Sequence, residues 1–349
     1  MRIVVGILGA LLIVLMLAEF FVAFLLPRRV KRDPRIAQGV YRAVWRPWRW
    51  LARRLGKVAG DTMLGFFGPF ALLLELVVWA IGLMIGYASL EWAGGGPFDF
   101  SFSAGTFLSA TFQPVGTWHR VVGLLEAATG VGVLFIVIGY LPSVYGAFSR
   151  REVAVSRLAA RAGSPPSAGA LLAQAAERGR WEELDRYLHD AEEWAAEMME
   201  THLSYPLLAY YRSQHLGQNW LAALTTIVDT SAILLAGLEE GSSEARAAEV
   251  TFRIGRHALS DLALQARAAH PDATRVLRDE DIAELRAMLE AGDLPLVDEV
   301  EWRRRLEALS RTYEGNAAAL ARELELRLPT WLPEEHVQGK RKHLPAHLR

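Results

Sequence analysis

Residues 64–90 read LGFFGPFALLLELVVWAIGLMIGYASL and residues 121–145 read VVGLLEAATGVGVLFIVIGYLPSVY. At about 1.5 Å of rise per residue, each run is long enough to cross a hydrocarbon core of about 30 Å as a helix. Between them, 102–112 read FSAGTFLSATF, moderately apolar and rich in small residues (Ser103, Ala104, Gly105, Ser109, Ala110) but too short to cross. A short apolar segment whose two ends lie on one side of the membrane predicts a re-entrant half-helix. Non-helical backbone can follow it at membrane depth only where protein or a water-filled cavity surrounds it.

Upstream, 3–26 is a third apolar run, interrupted only by Glu19. It is too long for a signal-peptide core, no small-residue cleavage site follows, and Pro27-Arg28-Arg29 reads as a stop-transfer flank, so it is expected to stay as an anchor. The segment between the first two spans is strongly basic: Arg28, Arg29, Lys31, Arg32, Arg35, Arg42, Arg46, Arg49, Arg53, Arg54 and Lys57 against Asp33 and Asp61. The positive-inside rule puts this segment in the cytoplasm, with the N-terminus and 91–120 outside and everything after Arg150-Arg151 inside. Arg42, Arg46, Arg49 and Arg53 recur at helical spacing, with Tyr41, Val44, Trp45, Trp48 and Leu55 on another side. That pattern predicts an interfacial helix facing anionic lipid headgroups over 28–58, kinked or restarted at Pro47. Nucleic acid is not an expected partner of a basic segment held between two spans. The chain of 349 residues has a formal net charge of −1 and no cysteine, which excludes disulfides, thiolate metal sites and cysteine nucleophiles.

Span, half-helix, extended segment and span form the layout of a pore-loop channel subunit. The run Phe107-Leu-Ser-Ala-Thr111-Phe-Gln-Pro-Val115-Gly116, with Arg120, Leu124-Leu-Glu126-Ala127 and Gly139-Tyr-Leu-Pro142, resembles bacterial potassium-channel-family proteins of the two-transmembrane, pore-loop type. The resemblance continues through Ala147-Phe-Ser-Arg-Arg-Glu152, Arg161-Ala-Gly-Ser-Pro-Pro-Ser167 and His202-Leu-Ser-Tyr205-Pro206, covering 64 to about 235. It implies a monovalent-cation pathway along Thr111, Gln113, Pro114, Val115, Gly116, Thr117 and Trp118, supported by Arg120 and Glu126. It also implies a homotetramer, because one pore loop cannot enclose an ion path. Potassium-selective members carry Thr-Val-Gly-Tyr-Gly. Here Pro114 stands where the threonine lines the inner site and Thr117 where an aromatic braces the filter. Trp118 stands where glycine takes positive φ. Weak selectivity is the expectation, with a non-conducting sensor or scaffold as the alternative.

Glu75 and Glu126 are carboxylates inside spans, which mark protein-facing functional or packing positions. Glu126 either braces the back of the pore loop or meets Arg120, or it is a protonated packing residue; both readings stand. Gly130 and Gly132 supply either a hinge or close packing. Beyond the break at 161–169, helices are expected over 171–179, 181–202, 220–238, 244–270, 279–291 and 297–326. The run 220–238 is apolar enough for a fourth span, but Asp229 and its hydroxyl neighbours favour a buried soluble helix. His202 and His215, with Glu197 or Glu200, match no compact metal spacing. No nucleophile–base set or phosphate-cradling loop is present, so neither catalysis nor a cofactor is expected. The whole predicts an all-α, multi-pass protein of the plasma (inner) membrane. Its parts are an N-terminal anchor helix (1–27), a basic segment (28–62), a span/pore-helix/span channel unit (63–150), a helical cytoplasmic domain (151–328) and a disordered tail (329–349).

Overall fold

The computed structural model describes residues 1–24, 36–109, 116–177, 179–215, 217–239, 243–268, 275, 277–291, 294 and 296–333. Among these the chain is helical throughout, with no strand. It divides into two compact units, Met1–Gly146 and Ala147–Arg349, and the chain passes from one to the other within a single helix.

The first unit contains α1 (Arg2–Phe24), α2 (Ile36–Arg54), α3 (Lys57–Ala93), α4 (Phe100–Ser109) and the first part of α5 (Thr117–Ala162). Helices α1 and α3 run antiparallel, and glycines set their separation. A Cβ on Gly6 would lie 2.7 Å from that of Ala93, and one on Gly86 would lie 2.6 Å from Ile13 Cγ1. Gly82 admits Met16 in the same way, and Phe20 meets Trp79 edge-on at 5.2 Å. Small residues permit this approach where lipid offers no hydrophobic drive between helices. At 37 residues α3 is about 55 Å long, well over the hydrocarbon thickness. Its N-terminal turns carry α2: Trp45 packs on Phe67 at 4.6 Å, Trp48 stacks on Phe70 at 4.9 Å, and Trp48 Nε1 donates to Met63 O at 2.9 Å. The aromatic side of α2, expected to lie in the headgroup layer, is therefore packed on protein. Those contacts hold α2 as one helix through Pro47, which does not restart it.

The second unit completes α5 and adds α6 (Ala168–Glu177), α7 (Trp181–Ser204), a 3₁₀ turn (Pro206–Tyr210), α8 (Trp220–Gly237), α9 (Ser243–Ala266), α10 (Asp279–Glu290), α11 (Glu299–Ser310) and α12 (Glu314–Leu324). Among the described residues four helices are long and apolar enough to cross a membrane: α1, α3, α5 and α8. They are not alike. Within its apolar window α8 is 94% buried, against 28–39% in the other three. A helix that is apolar all round needs cover on every side, and α6, α7, α9, α11 and α12 supply it.

Three sequence expectations change here. The helix expected over 297–326 breaks at 311–313, where Tyr313 turns inward, fully buried, to donate to Asp229 Oδ1 at 2.6 Å. The helix expected to reach 270 stops at Ala266, because Arg267 takes a left-handed φ of 52° and Ala268 N closes back on Ala263 O. Residues 329–333, assigned to the disordered tail, are packed. Trp331 and Leu332 are buried, and Gly169 N donates to Trp331 O at 2.8 Å. The remainder of that tail lies outside the described residues.

Candidate functional site

The site is built on α4. Asp99 starts it by accepting from the backbone N–H of Ser101 (2.9 Å) and Phe102 (3.1 Å), an N-cap that satisfies donors the first turn leaves unpaired. The helix then runs into the space between α3 and α5. Ser103 Oγ donates to Met84 O of α3 at 2.8 Å and lies within hydrogen-bond distance of Glu126 Oε1 of α5. Met84 is nine residues from the end of α3, and Glu126 nine residues into α5, so Ser103 meets both helices about 14 Å along their axes. One turn further, Phe107 joins the apolar core of Ile13, Phe20, Trp79, Leu83 and Val122. Its backbone rests on Gly130, where any Cβ would overlap the Phe107 carbonyl. That contact is about 20 Å along α5 from Thr117.

The half-helix thus stops part-way along its two neighbours. Ser103, Thr106 and Glu126 are all wholly buried there. A parallel contact binds α3 to α5 directly: Tyr87 OH lies 2.7 Å from Thr129 Oγ1, which donates to Leu125 O. At the ends of the two long helices, Trp118 Nε1 donates to Leu90 O at 3.2 Å. Its ring occupies the space left by Gly94. His119 Nε2 is 3.4 Å from Glu91 Oε2.

Of the residues expected along an ion path, Thr111, Gln113, Pro114 and Val115 lie outside the described residues. Gly116 has a φ of +99°, a conformation that L side chains rarely adopt. Thr117 and Trp118 form the first turn of α5, and Arg120 N bonds back to Gly116 O. Arg120 is exposed and Glu126 is turned toward Ser103. Glu75 of α3 stands within electrostatic reach of Glu19 of α1. Gly130 and Gly132 separate: the first is a close-packing site, and the second has open space where a Cβ would stand. Sequence spacing marked Ser103 only as small, and gave no sign of its bond to Met84 O or of the Tyr87–Thr129 and Glu91–His119 contacts.

In the second unit His202 is a core residue. Its Nδ1–H donates to Met198 O at 2.8 Å, leaving Nε2 to accept from Arg151 Nη1 at 3.2 Å. Burial, then the Arg151 charge, lowers its pKa to about 3. Arg151, counted in the sequence as a flanking charge, is itself buried and also donates to Leu208 O and Tyr211 O. His215 is exposed, and no three potential metal ligands cluster among the described residues. The other buried charge cluster centres on Arg275, which bonds to both oxygens of Asp229 at 2.7 Å, to Glu314 and to Pro329 O. Its guanidinium stands 4.8 Å from the Trp331 ring centre. Burial pushes the Glu314 carboxyl above its ordinary range, and Arg275 only partly offsets this.

Comparison of the chain with protein-family models, with characterised proteins and with solved structures finds no match.

Proposed function

We propose that the protein is an ion-channel-like membrane subunit of the potassium-channel type, passing monovalent cations with weak selectivity in a homotetramer. The observation that carries this reading is α4, a ten-residue helix too short to cross a membrane, which enters the space between α3 and α5 and reaches only about 20 Å along α5. On this reading the carbonyls of Gln113 to Gly116 are the atoms that replace an ion's hydration shell. Antiparallel α1 and α3 support a shared outer side for the N-terminus and 94–99, with the basic segment inside. On this reading α1, α3 and α5 cross the plasma membrane, α2 offers its arginines to anionic headgroups, and the second unit is a cytoplasmic regulatory or assembly domain.

The test is purified protein in planar bilayers with potassium on one side and sodium on the other. Cation current with a reversal potential near zero is expected. Strong potassium selectivity would contradict the proposed role of Pro114, and an absence of current would remove conduction.

A second reading has its own support. Trp118 belongs to the first turn of α5, bonded to Leu90 O, so the carbonyl ladder can extend no further than Gly116. A shortened ladder favours a non-conducting pore-loop relative that acts as a membrane-anchored sensor or scaffold through its second unit. Silence in bilayers from tetrameric protein, persisting in Trp118→Gly, supports that alternative.

A further inference from the structure

The junction of α3, α4 and α5 has a hydrogen count that fixes the chemical state of Glu126. Ser103 Oγ is within donor reach of both Met84 O, at 2.8 Å, and Glu126 Oε1. A hydroxyl carries one hydrogen, and a backbone carbonyl can only accept. If Ser103 gives its hydrogen to Met84 O, the contact with Glu126 needs a second hydrogen, and only the carboxyl can supply it. If Ser103 gave it to an ionised Glu126 instead, Ser103 Oγ and Met84 O would face each other at 2.8 Å with no hydrogen between them.

The surroundings point the same way. Glu126 is wholly buried, and its Oε2 has no hydrogen-bond partner. The titratable groups that face it are both on α3: Glu91, a second acid, and Tyr87, whose hydroxyl is engaged with Thr129. His119 stands behind Glu91, not against Glu126. From α4 the facing group is neutral Ser103, and among the described residues no lysine or arginine pairs with Glu126. An orphaned oxygen on a neutral acid costs far less than one on a buried, unpaired anion.

We infer that Glu126 is a neutral carboxylic acid that donates its proton to Ser103, and that the chain Glu126 O–H to Ser103 O–H to Met84 O fastens the half-helix to both neighbours. Glu126 is then a positioning residue for α4. The inference deepens the channel reading but stands apart from it, because it concerns how α4 is held and not whether ions pass.

The test uses the full chain in detergent or lipid discs and reads two quantities that do not depend on ion flux. At neutral pH the infrared difference between wild type and Glu126→Gln should contain a protonated-carboxyl stretch that belongs to the wild type. A carboxylate band in its place overturns the inference. In thermal unfolding, Glu126→Gln keeps a neutral donor and should melt close to wild type. Glu126→Ala and Ser103→Ala should each melt several degrees lower, and the double variant no lower than the worse single. A Gln variant as damaged as the Ala variant, or additive losses in the double variant, would also overturn it.

Discussion

At the scale of single residues, the two buried charge sites of the second unit make opposite demands on pH. His202 donates through Nδ1 and accepts at Nε2 from a cation, so protonation would set a ring N–H against Arg151. Its folded value of about 3 lies below the ordinary 6.5, so the unfolded chain takes up the proton first. The contribution of His202 to stability is therefore intact above pH 6.5. It is lost as pH falls toward 3, at up to about 1.4 kcal/mol per pH unit. Glu314 acts in the other sense: its raised value means that the folded form holds the proton more tightly, so acidification favours folding there and the gain is lost as pH rises. Denaturant unfolding at pH 7 and pH 5 separates the two. His202→Gln should be less stable than wild type at pH 7 but lose less on going to pH 5, and an unchanged loss would rule the imidazole out as the cause. Arg275→Met should cost more, roughly 3–5 kcal/mol, since it leaves Asp229 and Glu314 buried without their cation. The two glycines of α5 make a cleaner pair. Gly130→Ala drives a methyl into the Phe107 carbonyl and should cost about 1–3 kcal/mol, whereas Gly132→Ala meets open space and should be neutral or stabilising by up to about 1 kcal/mol. Equal melting temperatures for the two variants would show that α4 does not press on α5.

At the scale of elements, what the sequence reveals depends on whether a pattern is local. The long helices are legible because an unbroken apolar run is its own signal; a short helix is expected over 102–112 because so short an apolar segment cannot cross a membrane, and α4 spans Phe100–Ser109. The arginine strip of α2 follows from spacing alone. Where its aromatics go does not, because Phe67, Phe70 and Met63 are supplied by another helix. The break between α11 and α12 is invisible for the same reason: residues 297–326 are locally helical, and Tyr313 turns in to reach Asp229, 84 residues earlier. Likewise Ser103 and Glu126 are 23 residues apart, on elements whose contact no periodicity encodes. For α1 against α3 the two levels agree. Gly86→Leu puts its side chain into Ile13 and the Gly9 carbonyl and should separate the helices. A lower melting temperature and faster proteolysis in the basic segment are expected. A variant that melts with wild type would mean that α1 is not held by α3.

For the whole molecule, the decisive quantity is how many copies assemble. In the first unit α1 and α3 cover one another, and α4 fills the space beside them down to Gly130. Past that point Leu134, Phe135 and Ile138 of α5 are exposed, and Leu108 at the end of α4 is 71% exposed. Lipid alone can cover an apolar helix face, so exposure by itself decides nothing. Leu108 is different, because it belongs to a helix that ends part-way along its neighbours, and on the proposed reading that end lies within the membrane, where non-helical backbone needs protein or water around it. On the proposed channel reading, one pore loop cannot by itself enclose an ion path. On that reading closed cyclic symmetry supplies the other loops, and the proposal takes four copies. Native mass spectrometry from several mild detergents should therefore give a tetramer. Leu108→Glu should shift it toward smaller species, while Leu15→Glu on the outer side of α1 should impair membrane insertion without changing the copy number of what inserts. A strictly monomeric wild type in every detergent would count against the pore-loop architecture itself, whatever the bilayer recordings show.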